Sequence, residues 1–282
     1  MRASLLLALC LLLPACGGGA KLDWFLYVPE RLERYTLPNE GKFPEETVER
    51  SRIEELRLRT DDGVTLGAVY VRANEQPPRG YVLFFHGKGG NLDRTMPRLN
   101  RYANLGYDTL GIDYRGFGVS DDVPITEAGI DLDGKAAVKY LSERAGGTDR
   151  LFYAGQSFGT APATQRALAQ PAQALIIESG FASLDEFNRQ STRLDYPQTF
   201  ITRDRWATSE CLKDIHLPVL ILHGDADDLI RPSHAEVNYA AANEPKQKVI
   251  VPGGGHSDLP EVMGDAYGDL IHAFVEGAFA AP

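Results

Sequence analysis

Cysteine is scarce in this chain, three in 282 residues. With Cys10 inside a leader-like stretch, only Cys16 and Cys211 remain, too few for a disulfide scaffold. An excess of basic charge is missing too: 29 Lys and Arg stand against 39 Asp and Glu, a net charge of -10. That balance excludes binding to nucleic acid or to an anionic surface through a basic patch. The six histidines lie at 86, 216, 223, 234, 256 and 272. No two have the spacing with which a helix binds zinc, so no metal site is expected. Internal repeats and low-complexity tracts are absent after Gly19. What remains is ordinary globular material, 43% hydrophobic and 24% charged, long enough for one sizeable domain behind a leader.

The leader reads as a secretory one. Met1-Arg2 is a positive start, Leu5 to Leu13 an apolar run too short to span a bilayer comfortably, and Pro14-Ala15-Cys16 a small-residue boundary before three glycines. Leu13-Pro14-Ala15-Cys16 resembles the lipobox of bacterial lipoproteins. The resemblance implies removal of residues 1–15, lipidation of Cys16 and a flexible tether at Gly17–Gly19. It places the protein on a membrane of the cell envelope, and the lack of an aspartate after Cys16 leans towards the outer membrane. A plain signal peptide and an uncleaved anchor share this outline. Residues 16–50 then form the tether and an N-terminal extension. Within the extension the apolar patch Trp24–Val28 is expected to cover an edge of the domain.

From residue 51 onwards the pattern is that of one α/β domain. Arg52–Arg59 and Val64–Val71 read as a hairpin turning at Asp61-Asp62-Gly63. Strands then alternate with helices: strands at 81–85, 108–112, 174–177, 218–222 and 248–251, and helices at 96–105, 127–141, 233–242 and 260–279. Alternation predicts a mostly parallel sheet with helices on both faces and ligands outside the carboxyl ends of the strands. The polar stretch Gly180–Leu217 interrupts the rhythm and is expected to form a small cap over the site.

The chemistry gathers at strand ends. Leu151–Gln156 is an apolar strand that runs into Gly155-Gln156-Ser157-Phe158-Gly159 and then a helix start. Glycines two residues either side of a serine suit a sharp turn that exposes the hydroxyl, so Ser157 is the candidate nucleophile. Such a hydroxyl needs a base and a group to orient that base. His256, in the glycine loop Pro252–Asp258 after a strand, is the candidate base. The acid should also follow a strand, and His223-Gly224-Asp225-Ala226-Asp227-Asp228 offers Asp227, with Asp225, Asp228 and Glu178 as alternatives. Oxyanion donors are expected at the N–H of Phe158 and, from His86-Gly87-Lys88-Gly89-Gly90-Asn91, at the N–H of Lys88. His86 and His223 read as turn residues, and His216, His234 and His272 as solvated or hydrogen-bonded.

These motifs, together with Asp113-Tyr114-Arg115-Gly116-Phe117-Gly118 and Glu178-Ser179-Gly180-Phe181, resemble the α/β-hydrolase superfamily and, within it, the Bem46-like and serine aminopeptidase-like branch. The resemblance runs from about Arg52 to the C-terminus. It implies the α/β-hydrolase fold, a Ser157-His256-Asp227 triad with Asp227 at the last position of the family's His-Gly-x-x-Asp motif, and no cofactor. The implied substrates are small or lipid-like carboxylic esters or thioesters cleaved through an acyl-enzyme. A peptidase or amidase would use the same triad, with Asp185 or Glu186 available to hold a substrate amine. A binding protein of the same fold is the non-catalytic rival.

Overall fold

The structure, a computed structural model, describes residues 26–170, 172–192 and 204–280. The leader and Cys16 lie outside the described residues, as do Trp24, Phe25, Tyr196 and Phe200.

Apolar runs at the centre and half-polar segments at the two edges form a sheet of eight strands: β2 (Ile53–Arg59), β3 (Thr65–Val71), β4 (Gly80–Phe85), β6 (Tyr107–Ile112), β7 (Leu151–Gln156), β8 (Ala174–Glu178), β9 (Val219–Gly224) and β10 (Lys246–Val251). Their spatial order is β10-β9-β8-β7-β4-β6-β3-β2, and β3 alone runs antiparallel to its neighbours. A separate two-residue pair joins β1 (Val28–Pro29) to β5 (Gly89–Gly90) in parallel.

Strand side chains alternate between two apolar layers, as a period of two requires. Leu83, Phe85, Leu151 and Tyr153 face one layer with α2 (Glu127–Ala145), α3 (Thr160–Ala169) and α6 (Ser233–Ala241). Val82, Phe84, Phe152 and Ala154 face the other with α1 (Leu92–Asn104) and α8 (Asp265–Phe279). The fold is therefore an α/β-hydrolase-type doubly wound sheet with helices on both faces.

Helix boundaries differ from expectation in three places, the first being α2, which runs on past 141 to Ala145 and ends at Gly146 in the left-handed region at φ 75°. The first helix begins at Leu92 rather than Met96, because the Asn91 side chain accepts the Asp93 N–H at 3.0 Å and caps it there. The closing helix is broken into α7 (Leu259–Met263) and α8 by Gly264, whose φ of 57° has left the helical region. Between β8 and β9 the described part of the connection holds α4 (Leu184–Thr192) and α5 (Thr208–Leu212). Its Phe181, Leu184, Trp206 and Leu212 are buried in the main core, so these large side chains pack the connection down.

Candidate active site

The chain leaves β4 towards β6 and returns to the other side of β4 as β7. The crevice of this switch point opens outside the carboxyl ends of β4 and β7. The turn after β7 puts Ser157 there in the left-handed region, at φ 56°, a conformation that costs a residue with a Cβ about 1 kcal/mol or more. Its neighbours have no room for side chains. A Cβ on Gly155 would come to 2.4 Å from the Gly159 carbonyl oxygen, and one on Gly159 to 2.0 Å from that of Phe85. Glycine at both positions is a steric condition of the turn.

Asp227 and His256 arrive on loops after β9 and β10 that are tied to each other. Gly253 N–H donates to the Asp225 carboxylate at 2.7 Å and Ala226 N–H to Gly254 O at 2.9 Å. A Cβ on Gly224 would lie 2.0 Å from Gly254 O, so the two loops touch backbone to backbone. His256 Nδ1 lies 2.8 Å from Asp227 Oδ2, and His256 Nε2 lies 2.8 Å from Ser157 Oγ. With the carboxylate accepting from Nδ1–H, the Nε2 lone pair is left to accept the serine proton.

Asp227 is buried, at 3% exposure. Burial works against its charge, but hydrogen bonds from His223, from His256 and from the Ile230 N–H prevail and hold its carboxyl well below the usual range. Oδ1 takes the N–H groups of Leu229 at 3.0 Å and Ile230 at 2.8 Å. His223 Nε2 lies 2.7 Å from Ile230 O and 3.3 Å from Asp227 Oδ2. His223 therefore does more than close a turn: it shares the acid with His256.

Two of the alternative acids, Asp225 and Glu178, have other partners. Asp225 is held by Gly253. Glu178 is buried, forms an ion pair with Arg98 and accepts the Tyr267 hydroxyl at 2.9 Å. Arg98 also donates to Ser257 O at 2.7 Å, bracing the loop that carries His256. Nothing in the local sequence around Arg98 marks this contact, which spans 159 positions.

The loop His86–Asn91 passes close to the serine, since a Cβ on Gly87 would lie 3.7 Å from Ser157 Cβ. His86 is buried against Tyr114 and Phe117, and its Nδ1 lies 2.7 Å from Gly87 O. Burial pushes the His86 imidazole down to about 4, so it is neutral at pH 7 and donates through Nδ1–H. In a trans peptide the N–H points opposite to the carbonyl, so this bond also sets the direction of the Lys88 N–H.

Lys88 and Ser157 share a cavity of about 410 Å³ whose charged lining is Lys88, Arg94, Arg98, Glu46 and Glu261, with Phe84, Pro97 and Leu229 as its apolar part. Asp185 and Glu186 do not line it; they bond to Arg189 and Gln190 on their own helix. Among the described residues no cluster of His, Cys, Asp and Glu has the makings of a metal site.

Residues 76–193 match the family described as serine aminopeptidase, S33. Protein bem46 of Schizosaccharomyces pombe is 31% identical over 98% of this chain and 93% of its own length. The chain belongs to the α/β-hydrolases of the Bem46-like branch. This Bem46-like chain is also 28% identical to the α/β hydrolase domain-containing protein WAV2 of Arabidopsis thaliana, over 79% of this chain and 78% of WAV2. Among solved structures it superposes on the Pyrococcus furiosus esterase Pf2001 with a TM-score of 0.70 at 17% identity, over 90% of this chain and 98% of the esterase. At that identity the match speaks for the fold, and the family membership makes the chain an α/β-fold hydrolase.

Proposed function

We propose that the protein hydrolyses carboxylic esters through an acyl-enzyme on Ser157. The observation that carries this reading is the continuous run from Ser157 Oγ to His256 Nε2 and from His256 Nδ1 to Asp227, each step 2.8 Å long. Ser157 Oγ attacks the ester carbonyl carbon while its proton passes to His256 Nε2. Asp227 stabilises the imidazolium, and the N–H groups of Lys88 and Phe158 receive the negative oxygen. Collapse expels the alcohol, which takes the proton from His256. A water deprotonated by His256 then attacks the acyl carbon and returns Ser157 with a free acid.

The mixed lining of the cavity, three cations beside two carboxylates with Arg98 and Arg94 already paired to Glu178 and Glu30, favours substrates with a polar group near the ester. We further propose that Cys16 is lipidated and holds the enzyme at the cell envelope. The test is turnover of p-nitrophenyl esters of increasing chain length beside aminoacyl p-nitroanilides. Ester turnover that exceeds amide turnover by a thousandfold supports the reading, and preferential amide turnover replaces it with a peptidase.

A further inference from the structure

The first described residues run across the loops that follow β4, β6 and β7. Val28 N–H donates to Lys88 O at 2.9 Å, and Glu30 N–H to Gly90 O at 3.1 Å. Val28 pairs with Gly89 and Pro29 with Gly90. Just before them Tyr27 is buried with its ring edge-on to Phe158 at 5.5 Å. Trp206 meets the same Phe158 ring at 5.0 Å and donates its indole N–H to the Tyr27 hydroxyl at 2.9 Å, which in turn donates to Asp204 at 2.6 Å.

We infer that Tyr27 and Val28 are positioning residues for the oxyanion site, a strap that fixes both of its donors from behind. The inference rests on the ester-hydrolase reading above. Lys88 stands between two peptide planes. His86 holds the first through Gly87 O, and Val28 holds the second through Lys88 O. Release of the second plane lets the loop turn, and the Lys88 N–H turns with it. The other donor, the N–H of Phe158, belongs to a residue whose ring is wedged between Tyr27 and Trp206. Beyond Val28 the strap is sewn down: Leu32 N–H donates to Gly118 O at 2.9 Å, Arg31 to Phe117 O at 3.1 Å, and the Asn91 side chain to Glu30 O at 3.2 Å. The first described segment is thus part of the support of the active site.

The test compares Val28→Pro, which deletes the N–H that Lys88 O accepts, with Val28→Ala, which keeps it, in the full chain. Losing an oxyanion donor outright costs about 10²–10³ in kcat, and a displaced donor less. Val28→Pro is expected to lower kcat per phosphonate-titrated site about 10- to 100-fold with KM unchanged. Its affinity for a trifluoromethyl ketone, which forms an oxyanion on the serine, should fall by the same factor. Val28→Ala should match wild type. A merely structural strap would lower the melting temperature but leave kcat per titrated site and ketone affinity intact, and that result overturns the inference.

Should Val28→Pro fail to fold, Tyr27→Phe carries the test. It keeps the ring against Phe158 and removes the bridging hydroxyl, with about a threefold loss in kcat expected and none in KM. An unchanged kcat in that folded variant overturns the inference. A wild type that takes no phosphonate label signals failure of the hydrolase reading instead. Hydrogen exchange at Lys88–Gly90, faster in Val28→Pro than in Val28→Ala, then still decides the strap, and equal rates overturn it.

Discussion

Replacing Asp227 by Asn tests the geometry most stringently, because the surroundings dictate how the amide must sit. Oδ1 of Asp227 accepts two backbone N–H groups, from Leu229 and Ile230. An Asn side chain can serve them only with its carbonyl oxygen, so its NH₂ must face His256 Nδ1 and His223 Nε2. His256 must then offer a lone pair at Nδ1 and carry its proton on Nε2, where it cannot accept the Ser157 hydroxyl proton. In serine-protease triads the wrong tautomer costs about 10⁴ in kcat, on the order of 5 kcal/mol of barrier. The same loss is expected here, measured as kcat for a p-nitrophenyl ester per folded molecule, with KM little changed. Asp225→Asn keeps an oxygen for Gly253 N–H and should stay within about threefold of wild type. An Asp227→Asn variant that keeps a tenth of wild-type kcat, or an Asp225→Asn variant that loses about 10⁴, would show that Asp227 does not set the His256 tautomer.

Other consequences follow from particular contacts. Glu178→Gln breaks a largely buried pair with Arg98, so it should cost about 3 kcal/mol in urea unfolding yet retain phosphonate labelling, in contrast to the loss expected of Asp227→Asn. Ser157→Gly should be about 1 kcal/mol more stable than Ser157→Ala, since only glycine adopts φ 56° without strain. Equal stabilities would show that the turn is not strained. Gly159→Ala, whose Cβ would meet the Phe85 carbonyl oxygen at 2.0 Å, should lose about 3 kcal/mol or fail to fold, and a wild-type melting temperature would contradict the packing. The depressed Asp227 carboxyl contributes stability that is fully present above the unfolded value of about 3.9 and is lost as pH falls through the folded one. The stability difference between wild type and Asp227→Asn should accordingly shrink below about pH 4, and a constant difference would count against the hydrogen bonds that hold the charge.

The sequence carried the site because its members stand at strand ends, where a local pattern of apolar run, turn and glycine is visible. Ser157 and His256 could be read in this way, and the structure sets them with Asp227 in one hydrogen-bonded run. Local physics could not choose among Asp225, Asp227 and Asp228, since all three follow the same strand; only the approach of the β10 loop to the β9 loop separates them. Contacts far apart in the chain left no local signal. Arg98 looks like any arginine on an amphipathic helix until its bond to Ser257 O is seen, and Tyr27 and Val28 gave only an apolar patch, not its destination on the loop after β4. His223 read as a turn residue because a histidine at a strand end says nothing about which carboxylate it will share. Boundaries moved where a single side chain or glycine intervened, at Asn91 and Gly264.

The most direct measurement of the central claim is fluorophosphonate labelling of the folded protein, wild type beside Ser157→Ala, with the modified peptide identified by mass spectrometry. One label per chain is expected, on Ser157 and absent from the variant. A folded wild type that takes no label, or takes it at another residue, would contradict the assignment of Ser157 as an activated nucleophile.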